Sequence, residues 1–88
     1  MKAYQFRATG RVQGVGFRWS AQEEARRLNL AGWVANDDDG SVSGFVQGTE
    51  AALKEFRRWL GRGPRSAAVG VVEWTEAAPT GLRLFTIR

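Results

Sequence analysis

The chain has 88 residues, a formal charge of +4, four Trp and five Phe, and neither Cys nor His. That length fits a single domain, 1–88, whose small core must lean on its large rings. The absence of Cys and His excludes disulfides, thiolate nucleophiles, Ser-His-Asp triads and zinc sites built on either residue.

A first strand is predicted where Tyr4, Phe6 and Ala8 alternate with Gln5, Arg7 and Thr9. Gly10-Arg11-Val12-Gln13-Gly14-Val15-Gly16-Phe17-Arg18 follows, with three glycines in seven positions. Ala21, Ala25 and Leu28 then recur at helical spacing, with Glu23 and Arg27 as an outer i,i+4 pair. Ser20 with Glu23 fits a capping box that would start this helix at Ser20, while a start near Phe17 would suit anion binding better. Asn29, before Leu30 and Gly32, suits a left-handed cap. Trp33 to Asn36 forms the second strand, Asp37-Asp38-Asp39-Gly40 a turn, and Val42, Gly44 and Val46 the returning strand. Thr49 caps a second helix with Leu53, Phe56 and Leu60 on one stripe, ended by Gly61, Gly63 and Pro64. Val69 to Trp74 is a fourth strand whose uneven alternation predicts a bulge. After a turn at Pro79 to Gly81, Phe85 and Ile87 share a face of a last short strand.

The order β-α-β-β-α-β, with a short extra strand near the C-terminus, predicts an α+β, ferredoxin-like sandwich: an antiparallel sheet with two helices on one face and solvent on the other. No apolar run is long enough to span a bilayer. The segment Met1 to Arg7 lacks the apolar centre of a secretory signal. A cytoplasmic enzyme or binding module is expected, and the positive charge is compatible with an anionic partner or simply with a basic soluble surface.

The glycine segment matters most. Gly lets the backbone turn tightly and approach a ligand closely. Free N–H groups at a helix start, beside a guanidinium, suit a tetrahedral oxyanion. Arg18 opposes the helix dipole at that position, and a bound anion would remove the conflict. Nucleotide motifs do not fit: a Walker loop from Gly10 needs Gly where Val15 stands, and a dinucleotide loop from Gly14 needs Gly where Trp19 stands. An EF-hand registered on Gly40 fails at Ala35 and Val46, so the acidic turn reads as a solvated hairpin tip. Trp19, Trp33, Trp59 and Trp74 read as core or sheet-face aromatics.

At these residues the chain resembles the acylphosphatase family. Gly10 to Arg18 is similar to that family's first signature across its length. Gly32-Trp33-Val34-Ala35-Asn36, with Gly40, Val42 and Gly48, is similar to the second. The Gly63-Pro64 break and the closing Phe85-Thr86-Ile87 are also similar. Ser43 stands where many members carry Glu, and the acidic turn is unusually dense. The resemblance implies hydrolysis of carboxyl phosphates without metal or cofactor. Arg18 would bind the phosphate, and main-chain N–H groups of Gln13, Gly14, Val15, Gly16 and Phe17 would complete the cradle. Asn36 would orient the attacking water. The expected partner is a small-molecule acyl phosphate, with no nucleic acid or membrane, and the expected state is a monomer.

The alternative is a non-catalytic ferredoxin-like module binding an anion or nucleic acid, with Phe45 or Trp74 as stacking groups. The lack of an RNA-recognition string argues against the nucleic-acid version. A preference for carbamoyl phosphate is a further variant, which the length of a stand-alone domain disfavours.

Overall fold

The computed structural model describes all 88 residues. Its elements are β1 (Lys2–Arg11), α1 (Phe17–Arg27), β2 (Ala31–Asn36), β3 (Val42–Gly48), α2 (Glu50–Arg62), β4 (Ala68–Ala77) and β5 (Phe85–Ile87). The strands form one sheet in the order β4-β1-β3-β2-β5. Phe6, Ala8, Val34, Val42 and Val46 are buried on one face beneath Ala21 and Ala25 of α1 and Leu53, Phe56 and Leu60 of α2. Period-2 apolar positions on the strands thus meet helical stripes, as predicted. The Phe56 ring meets Phe6 and Phe85 at centroid separations of 5.6 and 5.9 Å.

Three antiparallel strand pairs of the predicted fold are in place, but a fourth pair makes the sheet mixed rather than wholly antiparallel. β5 pairs parallel with β2, Trp33 opposite Thr86. The cause is topological. β4 and β5 lie at opposite edges, and residues 78–84 cross between them at the end of the sheet where β4 finishes. The strand that follows such a crossing must run opposite to β4, and therefore alongside β2.

This crossing also corrects the expectation that one sheet face is open to solvent throughout. Gln47 projects from that face and is 2% exposed. Its Nε2 donates to the main-chain oxygens of Thr80 and Leu82 at 2.9 and 3.0 Å, and its Oε1 accepts from the Thr80 N–H at 2.7 Å. Ala3 and Ala31, its register partners, are buried as well. Gln47→Ala should lower stability by about 2–3 kcal/mol, because three part-buried hydrogen bonds to the main chain of residues 80 and 82 are lost at about 1 kcal/mol each. A urea melt with unchanged slope measures this, and a loss below about 0.5 kcal/mol, the usual range for a surface substitution, would mean that the segment is held by other contacts.

Local details follow from backbone chemistry. α1 starts at Phe17, not Ser20, because left-handed Gly16 (φ 76°) turns the chain into the helix and its carbonyl already accepts from the Ser20 N–H at 3.0 Å. The Ser20–Glu23 box therefore lies inside the helix. At the other end Asn29 adopts φ 58°, and Leu30 N–H reaches the Ala25 carbonyl at 2.8 Å, the predicted left-handed cap. Arg27 pairs with Glu24 at 2.7 Å and with Glu55 of α2 at 3.0 Å instead of Glu23, so the charge pair joins the two helices. Thr49 caps α2 through the Ala52 N–H. Gly61 continues that helix, and Gly63 at φ 68° ends it. The bulge lies in β4, where Gly70 and Val71 together oppose Thr9. Gly32 has no freedom to change: a Cβ there would sit 1.8 Å from the Phe45 carbonyl oxygen.

Candidate active site

The split β-α-β arrangement places β1 and β2 parallel to each other on either side of β3. Both strands therefore end at the same edge of the molecule. The loop of residues 12–16 leaves β1 there, and Asn36 closes β2. Val42 is the register partner of both Ala8 and Asn36, so the three form one row across the sheet. Asn36 lies two residues beyond buried Val34 and shares its helix-facing side. At the strand end it is exposed, on the same hollow as Phe17 and Arg18 at the start of α1.

One hollow of about 200 Å³ collects these pieces: Gly14, Gly16, Phe17, Arg18 and Asn36 line it, with Val12, Trp19 and Ile87 as apolar wall. That is smaller than the roughly 300–1,000 Å³ typical of drug-sized ligands, a scale suited to a small anion. Gly14 and Gly16 adopt φ 74° and 76° with open space around the position of a Cβ. Their role is the left-handed turn, not close packing. The main-chain N–H groups of Gln13, Gly14, Val15 and Gly16 make no hydrogen bond within the protein. The first intrahelical bond of α1 begins at Ser20, which leaves the N–H groups of its first turn unpaired in the helix. No acidic side chain occupies that turn.

Arg18 is half-buried at the hollow. Its Nη1 donates to the main-chain oxygen of Arg88 at 3.2 Å, and it forms no ion pair. No Asp or Glu side chain pairs with its charge. The structure brings Gly14, Gly16, Phe17, Arg18 and Asn36 to one place. The side chains of Gln13 and Val15 go elsewhere: Gln13 reaches the β2–β3 turn, and Val15 packs against the core. Trp19 and Ile87 were not foreseen at the hollow. Trp19 is 62% exposed beside it, so it is neither a core nor a sheet-face ring. Its position next to Arg18 at a helix start was the available signal.

The acidic turn is internally satisfied. Asp39 accepts from the Ser41 hydroxyl and N–H at 2.6 and 3.0 Å and from Arg7. Those bonds, Ser41 first and then Arg7, hold its carboxyl well below the usual carboxylate range. Ser43, the departure from the family pattern, donates to Asp37 at 2.9 Å, so the dense turn and Ser43 belong to one network. A second hollow of about 330 Å³ lies on the open sheet face beside Arg7, Trp33 and Glu73. Its one guanidinium is already paired with Asp39 and Glu73. Of the two rings weighed as base-stacking groups, Phe45 is 7% exposed. Trp74 stacks on Tyr4 at 4.6 Å with Arg57 over its ring.

The acylphosphatase family model matches residues 4–87. An acylphosphatase of Pseudomonas aeruginosa is 52% identical over 79 residues, covering 90% of this chain and 87% of that protein. One from Thermotoga maritima is 43% identical over 88 residues, covering 100% and 98%. The crystal structure of acylphosphatase from Bacillus subtilis superposes with a TM-score of 0.97 at 40% identity, covering 100% of this chain and 99% of that one. A structure of full-length HypF in its phosphate- and nucleotide-bound form contains a similar unit, with a TM-score of 0.91 at 30% identity over 99% of this chain and 12% of that one. No helix of this chain is long and apolar enough to cross a membrane.

Proposed function

The chain belongs to the acylphosphatase family and is an acyl phosphate hydrolase, and from that premise we propose how its own residues carry out the hydrolysis. The observation that supports the reading is the meeting of unpaired loop amides, an Arg18 with no Asp or Glu partner and Asn36 around one small hollow. Arg18 makes paired hydrogen bonds to two phosphoryl oxygens, a geometry that a Lys ammonium does not reproduce. N–H groups of Gln13 to Phe17 donate to the remaining oxygens and stabilise the charge that spreads over them in the transition state. The Asn36 side-chain carbonyl holds a water in line with the phosphorus. The water oxygen forms the new P–O bond as the bond to the acyl oxygen breaks, releasing a carboxylate and inorganic phosphate. A phosphoryl oxygen of the substrate takes the proton.

This kit has no imidazole and needs no general acid, because the leaving carboxylate has a conjugate acid of pKa about 4. No step calls on a metal or cofactor. Alkyl phosphates, whose leaving alkoxide does require an acid, should turn over at least about a hundredfold more slowly. A phosphorus NMR time course on acetyl phosphate beside an alkyl phosphate tests this, and equal rates would contradict it. The substrate is a small free molecule, and we propose that the chain acts as a monomer in the cytoplasm. Phe45 is buried and Trp74 is already engaged by Tyr4 and Arg57, which disfavours the nucleic-acid reading.

A further inference from the structure

We propose that Gln13 acts through its side chain as a positioning residue: it ties the β1–α1 loop to the β2–β3 turn and so fixes how far the loop amides stand from Asn36. The proposal rests on the reading above, in which those two groups hold the phosphoryl group and the water. Gln13 Nε2 donates to the main-chain oxygen of Asp37 at 2.7 Å and to that of Ser41 at 2.9 Å. Both partners are acceptors only, so the amide has one orientation and both of its N–H groups are used. Asp37 is the residue after Asn36. Its own N–H donates to the same Ser41 oxygen at 2.8 Å, closing the hairpin against which Gln13 anchors. No other side-chain hydrogen bond joins residues 12–16 to the turn.

The anchor itself cannot yield easily. The Ser41 hydroxyl lies 2.8 and 2.6 Å from the Asp37 and Asp39 carboxylates and accepts from Arg7 Nε at 3.1 Å. Ser43 donates to Asp37 at 2.9 Å, and Arg7 also reaches Asp39 and Glu73. The turn is therefore braced from β1 and β3, and Arg7 is itself held by Glu73 of β4. The loop, by contrast, carries two glycines whose backbone has wide freedom. A stiff turn and a compliant loop need a tie if in-line geometry is to be kept, and a displacement of about 1 Å is enough to cost 100-fold in rate.

The test uses Gln13→Met, which keeps length and bulk but has no donor, and Gln13→Glu. Both are assayed on acetyl phosphate with inorganic phosphate as competitive inhibitor, beside the wild-type chain. We expect kcat to fall about 10- to 100-fold in Gln13→Met while the phosphate inhibition constant stays within about threefold. Gln13→Glu adds a pH readout. Ionised, its carboxylate donates nothing and faces two carbonyl oxygens. Protonated, it regains one O–H donor. Its kcat relative to wild type should therefore rise toward acid pH, while the Gln13→Met ratio stays flat. Wild-type kcat in Gln13→Met would overturn the proposal. So would a joint loss of kcat and phosphate affinity, the mark of a merely structural role. If Gln13→Met does not fold, a flat Gln13→Glu ratio overturns it and a rising one supports it. A wild-type chain that leaves acetyl phosphate intact would instead bring down the catalytic reading, and this proposal with it.

Discussion

Arg18→Ala is expected to lower kcat/KM for acetyl phosphate by about a thousandfold or more, the scale of a guanidinium that stabilises a phosphoryl transition state. The protein should remain folded. Arg18 is only half-buried, and its single hydrogen bond, to the main-chain oxygen of Arg88, is exposed. A surface contact of that kind contributes little to stability. Phosphate should cease to inhibit at concentrations that inhibit the wild type. Arg18→Lys should lose about a hundredfold or more, because a point charge replaces a planar fork. Steady-state kinetics with a circular dichroism spectrum of each variant measure both effects. Wild-type turnover in a folded Arg18→Ala chain would refute the assignment.

Asn36→Ala is expected to separate binding from chemistry. Asn36 is exposed at the end of β2, and its side chain makes no hydrogen bond within the protein. Removing it should leave the loop amides and Arg18 where they are. If it orients water, kcat should fall about 100-fold or more through lost positioning, while inorganic phosphate inhibits nearly as before. Should phosphate inhibition collapse as well, Asn36 would belong to the anion cradle and a different group would hold the water.

Much of this arrangement was legible because it obeys local rules. The alternation of Tyr4, Phe6 and Ala8, the stripe of Leu53, Phe56 and Leu60, the Thr49 cap and the Asn29 cap each follow from a few neighbouring residues. The shape of the hollow was legible in the same way: Gly14 and Gly16 announced a turn, and Arg18 was placed at the start of the helix beside it. What was illegible was pairing at a distance. Nothing near Gln47 reveals that its amide will meet Thr80 and Leu82. Nothing near Gln13 reveals Asp37 and Ser41. Glu23 and Glu24 offered Arg27 equal local partners, and the choice of Glu24 came from where α2 brings Glu55. The direction of β5 depended on which end of the sheet the chain crosses, a property that no short window contains.

Two strands far apart in sequence lie side by side. β1 pairs with β4 from Ala3 opposite Ala77 to Arg11 opposite Ala68. Loops of such length are entropically slow to close, so the fold should form more slowly than a helical domain of equal size. Until position 77 has left the ribosome, the outer edge of β1 has no neighbour, and a bare strand edge invites association with other unfinished chains. The sealing of that edge is a late event of synthesis, and protection from misassembly arrives with it.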